Sequence, residues 1–180
     1  MRNLEIGTVR ALVITGSMGS GKTTMIGEIS DLLAIGGVAH AAIDIDAFGN
    51  AHDPAGVIDL AEAAYRNVTA AVRTYAAEGI ATFVMAGAIE SGAELARLRE
   101  AVGATDIVVC RLIAPLAVMQ QRVRLREPGI WEQKYVDRVE VLEAALDQAK
   151  VEDFSVVNDG TRPVTAVARE ILQRAGWIGS

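Results

Sequence analysis

Apolar residues along this chain fall into runs of two kinds. Short, largely apolar runs recur at 9–15, 39–45, 80–86, 106–113 and 154–157, each of strand length. Between them lie longer segments whose apolar positions repeat at helical spacing. The segment after the first run is an example, with Met25, Ile26, Ile29, Leu32 and Leu33 on one side of a 3.6-residue period. The spacing predicts helices over about 21–35, 57–78, 91–102, 115–126, 133–149 and 163–175. Most of the strands read as unbroken Val, Ile, Leu and Ala, so both of their faces need cover. That pattern predicts βα units building a parallel sheet with helices on both sides. In such sheets ligands bind at the carboxyl ends of the strands, so the residues that close each apolar run are the ones to inspect.

Composition narrows the class. The 180 residues are 51% hydrophobic with charges of both signs spread along the chain, which excludes disorder and predicts a single domain. A net charge of −6 gives no general attraction for nucleic acid or for anionic membrane surfaces, so an anionic partner has to be small and held locally. The lone cysteine, Cys110, sits within the apolar run 106–113 and reads as a buried strand residue. The N-terminal residues lack the apolar core of a secretory signal, and no stretch is apolar over the ~18 residues that would span a bilayer. The expectation is a cytoplasmic protein, monomeric or homodimeric, that binds neither nucleic acid nor membrane.

The first strand runs straight into Gly16-Ser17-Met18-Gly19-Ser20-Gly21-Lys22-Thr23-Thr24, and a helix follows. The spacing G-x-x-x-x-G-K-T is that of a phosphate-binding loop. Gly16 permits the sharp exit from the strand, and Gly21 lets the backbone close its N–H groups around a polyphosphate. Lys22 is placed to reach the β- and γ-phosphates and Thr23 to put its hydroxyl on Mg²⁺, with the positive end of the helix behind them. A nucleotide such as ATP with Mg²⁺ is the ligand this loop implies.

The other strand ends add candidate chemistry. Strand two closes on Asp44-Ile45-Asp46, two carboxylates at i and i+2 that alternation along a strand would send to the same side. Beside a phosphate loop, Asp44 is expected to serve the metal and Asp46 an acceptor hydroxyl as general base. The third strand ends in Ala86-Gly87-Ala88 with no aspartate of its own. There, Gly87 is a place where a substrate can approach the backbone. Glu90 is either a substrate contact or a helix N-cap neighbour. Arg122 and Arg126 share one face of the 115–126 helix and are expected to clamp phosphate, whereas Arg124 points elsewhere. The alternative for them is a solvated basic helix end. Glu127-Pro128-Gly129-Ile130-Trp131 then breaks the helix, which marks 127–133 as a short lid. After the last strand, Asn158-Asp159-Gly160-Thr161-Arg162-Pro163 is a turn entering a helix.

With these pieces in order, the chain resembles the small P-loop kinases of the nucleoside/nucleotide kinase superfamily, the group that includes shikimate, gluconate and adenylylsulfate kinases. The resemblance implies an α/β three-layer P-loop NTPase fold, with a five-stranded parallel sheet of order 2-3-1-4-5, helices on both faces and a short lid. It further implies ATP and Mg²⁺ as cosubstrate and cofactor, and γ-phosphoryl transfer to a small-molecule acceptor. By the same likeness Arg122 corresponds to the arginine that packs on adenine, Arg126 to the lid arginine, and Asp159, Gly160, Thr161, Arg162 and Pro163 to the adenine-side loop. The glycine triplet of shikimate recognition is absent, as are the adenylylsulfate signatures around Asp44–Phe48, so the acceptor stays open between a metabolite and an antibiotic-like compound. Two other functions remain in view. A nucleoside monophosphate kinase would need further arginines, for which Arg66 and Arg73 are the central candidates. A nucleotide-dependent regulator would bind without transferring phosphate.

Overall fold

The computed structural model describes residues 9–104 and 106–179. Five strands, β1 (Arg10–Thr15), β2 (Ala41–Asp44), β3 (Thr82–Ala86), β4 (Asp106–Ile113) and β5 (Phe154–Val157), form one sheet of order β2-β3-β1-β4-β5. All four pairings are parallel. Seven helices connect or follow them: α1 (Lys22–Ile35), α2 (Ile45–Phe48), α3 (Leu60–Ala77), α4 (Gly92–Val102), α5 (Leu116–Arg126), α6 (Glu132–Ala149) and α7 (Val164–Arg174). Strand 9–15 and the other four apolar runs each become one strand, and the six long helical segments match α1 and α3–α7 to within three residues. The short α2 is not foreseen by the periodicity.

Alternate residues of the central strand feed opposite sides of the sheet. Leu12 and Ile14 join Met25, Ile29 and Leu33 of α1 and Val167, Ile171 and Leu172 of α7 in one core. Ala11 and Val13 join Val68 and Val72 of α3 and Leu98 and Val102 of α4 in the other. Each fully buried Leu or Ile contributes about 1.5–3 kcal/mol, so the two cores hold the three layers together. Cys110 lies wholly buried in the first core, where burial pushes its thiol up to about 12. A third, smaller cluster of Ala114, Met119, Val123, Val136 and Val139 joins α5 to α6 and takes Met18 of the phosphate loop against it. The loop is therefore packed as well as hydrogen-bonded. Arg111, on the same side of β4 as Ile107 and Val109, is buried beneath α6 and paired with Glu143 at 3.0 Å and Asp147 at 2.8 Å. No helix among the described residues is long and apolar enough to cross a membrane.

Candidate active site

The carboxyl ends of β1, β2 and β4 open into a cleft of about 550 Å³ over the phosphate loop. Gly16, Gly19 and Gly21 all take positive φ, at 147°, 78° and 99°, which is how the backbone turns back on itself between β1 and α1. Gly19 admits no side chain, because a Cβ there would overlap the Met119 carbonyl oxygen of α5. The loop is then tied down from three sides. The Ser17 hydroxyl donates to the Val139 carbonyl of α6 at 2.9 Å, the Asn158 amide donates to the Ser20 carbonyl at 2.8 Å, and Arg122 donates to the Gly19 carbonyl at 3.1 Å. Ser17 and Ser20 are buried by this packing.

Helix α1 begins with no side-chain cap. The N–H groups of Lys22, Thr23 and Thr24 have no backbone acceptor among the described residues. A helix end with open N–H groups, flanked by a lysine, suits an anion. The Lys22 ammonium lies 3.1 Å from the Gly16 carbonyl and 3.4 Å from Asp46 Oδ2. Thr23 Oγ1 donates to Asp44 Oδ2 at 2.8 Å. This donor set, a hydroxyl and a carboxylate beside open N–H groups, fits a hard cation held next to phosphate.

The two aspartates reach the cleft by a different route from strand alternation. Asp44 ends β2 and is the N-cap of α2, its Oδ1 accepting the Asp46 N–H at 3.1 Å. Asp46 sits in the first turn of α2, and its Oδ1 accepts the Ala88 N–H at 3.2 Å. A helical turn thus swings Asp46 beside Lys22, and both carboxylates line the same cleft.

The remaining candidates divide. Arg122 and Arg126 both line the cleft, as their shared helix face requires. Arg122 donates to the Asn158 carbonyl at 2.9 Å as well as to Gly19, so it braces the phosphate loop against the β5–α7 turn. Arg126 is paired with Glu127 at 2.9 Å at the cleft rim. Met18, Gly19, Gly21 and Thr24 line the cleft too. The turn after β5 is shaped by Asp159, which accepts from the Thr161 N–H and hydroxyl at 2.9 and 2.7 Å and is held below the usual carboxylate range by those bonds. Gly160 lies against the Arg122 guanidinium, Pro163 caps α7, and Arg162 pairs with Glu170 at 2.6 Å on α7 rather than facing the cleft.

Three substrate expectations need correction. Above Gly87 the space is filled: a Cβ would stand 3.1 Å from Ile45 Cβ, so its glycine accommodates α2 rather than a ligand. Glu90 faces Arg138 of α6, whose guanidinium donates to both its oxygens at 2.8 and 3.0 Å, and its own N–H is held by Glu94 at 2.7 Å beside the Ser91 N-cap. Arg66 is exposed on α3 in a separate groove with Glu62, Thr69 and Arg97, and it does not line the cleft.

Other cleft residues carry no local signal in the sequence. Ala47, Asn50, Glu127 and Tyr135 complete the lining. A second cavity of about 280 Å³ adjoins the cleft through Asp46 and Asn50 and runs between α2, α3 and the β3–α4 turn. Its walls are Ile45, Gly49, Ala61, Ala64, Tyr65, Ala88 and Glu94. Burial first, then the Glu94 and Asp46 charges, hold the Tyr65 phenol above its ordinary range, so it is a protonated donor.

No family model matches the sequence, and no curated protein matches it. Solved structures do. The chain superposes on the tunicamycin resistance protein of Deinococcus radiodurans with a TM-score of 0.62 at 21% identity, covering 94% of this chain and 97% of that one. The Acinetobacter baumannii shikimate kinase gives 0.59 at 20%, covering 93% and 91%. The Mycobacterium tuberculosis APS kinase gives 0.61 at 16%, covering 92% and 96%. With sheet order, phosphate loop and end-to-end superposition in agreement, this chain has the fold of the small P-loop kinases.

Proposed function

We propose that the protein transfers the γ-phosphoryl group of MgATP to a hydroxyl of a small-molecule acceptor. The observation that carries this reading is the convergence of Lys22, the Thr23–Asp44 pair and Asp46 on one cleft at the start of α1. The open N–H groups of α1 and Lys22 hold the β- and γ-phosphates. Thr23 and Asp44 hold Mg²⁺, which neutralises phosphate charge when bound. Arg122 and the 158–161 part of the turn border the adenine, with Arg162 held away on α7, and Arg126 leaves Glu127 for the phosphates as the 127–133 connection closes.

Asp46 completes the reaction. Its Oδ1 is fixed by the Ala88 N–H, which leaves Oδ2 for the acceptor once Lys22 turns to the phosphates. The acceptor oxygen forms a bond to the γ-phosphorus as the bond from that phosphorus to the β-bridging oxygen breaks. The acceptor proton passes to Asp46 and ADP leaves. The acceptor is a metabolite or an antibiotic-like compound, and likeness to a tunicamycin resistance protein supports including antibiotics among those tried. A nucleoside monophosphate acceptor draws no support from Arg66 or Arg73, both exposed on α3. The test is ADP release over a panel of sugars, sugar acids, nucleosides, nucleotides and aminocyclitols. Acceptor-dependent ADP with a matching phosphorylated product is expected, and MgATP that neither binds nor turns over would contradict the reading.

A further inference from the structure

If the cleft over the phosphate loop is the nucleotide site, its reacting end must open onto the acceptor. The cavity sharing Asp46 and Asn50 with that cleft is the compartment in reach of the proposed base. Its charge is one-sided. Asp46 and Glu94 line it, and among the described residues no lysine or arginine does. The cations nearby are already committed. Arg97 stands over the Tyr65 ring, 4.9 Å from its centroid, and is bonded to Glu62, while Arg138 is bonded to Glu90. Lys22 lies 3.4 Å from Asp46 on the phosphate-loop side, outside the cavity wall, and in the kinase reading it turns to the phosphates. The rest of the wall is Ile45, alanines and the Tyr65 ring, with the Asn50 amide at the junction.

We infer that the acceptor is a small hydroxyl compound without anionic groups, either a neutral polyol-like ring or one bearing an ammonium group. This inference rests on the kinase reading above and specifies its substrate class. An acceptor carboxylate, sulfate or phosphate would sit beside Asp46 and Glu94 with no cation from the cavity wall to meet it, and like charges so placed are disfavoured. An ammonium group has Glu94 as partner, since only one Glu94 oxygen is used by the Glu90 N–H. Apolar ring faces meet Ala61, Ala64 and Ile45. At about 280 Å³ the cavity is just below the ~300–1,000 Å³ usual for ligand pockets, which suits a single ring.

The experiment uses matched sets on one ring skeleton: a cyclitol, its amino derivative and its carboxylate or phosphate derivative. Binding is measured by calorimetry on the full chain saturated with Mg²⁺ and a non-hydrolysable ATP analogue, and ADP release is measured in parallel. Neutral and amino members are expected to bind and turn over at least ~10-fold better than the anionic member of the same set. Glu94→Gln, which keeps the oxygen that holds the Glu90 N–H, is expected to lower the preference for amino over neutral members by roughly 3–10-fold. Glu94→Lys is expected to move the panel toward the anionic members. Anionic members that bind as well as the others, or an unchanged profile in both Glu94 variants, would overturn the inference while leaving the kinase reading intact. Binding of the nucleotide analogue with no neutral or amino member bound at any concentration would overturn it as well. Failure of the analogue itself to bind would instead remove the kinase reading beneath it.

Discussion

At the scale of single residues, the two aspartates are separable because of how α2 is capped. Asparagine caps a helix about as well as aspartate, so Asp44→Asn keeps α2 while removing the charge offered beside Thr23. The expected result is a raised Mg²⁺ requirement with little change in melting temperature. Asp46→Asn keeps an oxygen for the Ala88 N–H but cannot accept the acceptor proton. Turnover is expected to fall by about 10²-fold or more while affinity for the nucleotide analogue changes little, as removal of a general base requires. Equal, small losses in both variants would reduce the pair to a structural turn. Cys110 gives an independent check on the core. With its thiol pushed to about 12 by burial, the native protein is expected to resist alkylation at pH 8 and to react only when unfolded.

At the scale of elements, the connection between α5 and α6 is the part expected to move. Pro128 and Gly129 separate the two helices, Arg126 and Glu127 are paired at its start, and Trp131 is 54% exposed just beyond. The other tryptophan, Trp177, stacks under Arg10 at 4.5 Å, far along the chain from this connection. In a Trp177→Phe background, Trp131 emission is therefore expected to change when the nucleotide analogue binds, and further with acceptor. Emission that stays constant through saturation, with unchanged protease cleavage at 127–133, would leave this segment a fixed surface turn.

Elements also explain what the sequence conceals. The long helices carry enough apolar repeats to declare their period and the five strands stand out as short apolar runs, which is why their limits are legible to within a few residues. Helix α2 spans a single turn, too short for any periodicity, and only its N-cap aspartate and the glycine at its C-cap hint at it. The α2 turn, not strand alternation, sets the direction of Asp46, and Gly87 accommodates α2, neither of which the sequence period shows. Arg138 was concealed differently. On α6 it reads as one more charge on a solvated face, and its partner Glu90 is 48 residues away. Tyr65 and Glu94 likewise meet only through the packing of α3 on α4.

At the scale of the molecule, the sheet does the positioning. Placing β1 between β3 and β4 puts the phosphate loop at the centre, with β2 supplying Asp44 and the β5–α7 turn supplying Asn158 on its two sides. Position follows from parallel order, which the unbroken apolar runs already imply, so the location of the candidate cleft is legible before its contacts are. The proposed acceptor cavity is not, because its wall is brought together from α2, α3, the β3–α4 turn and α4. Phosphoryl transfer driven from the phosphate loop depends on Lys22 above every other residue of the cleft. Among the described residues the polar partners of the Lys22 ammonium are the Gly16 carbonyl and Asp46, so Lys22→Ala is expected to preserve the fold. Acceptor-dependent ADP release by that variant is expected to fall by roughly 10²-fold or more, equivalent to about 2.7 kcal/mol of lost transition-state stabilisation. Near-normal release from a Lys22→Ala protein with native circular dichroism would contradict the account.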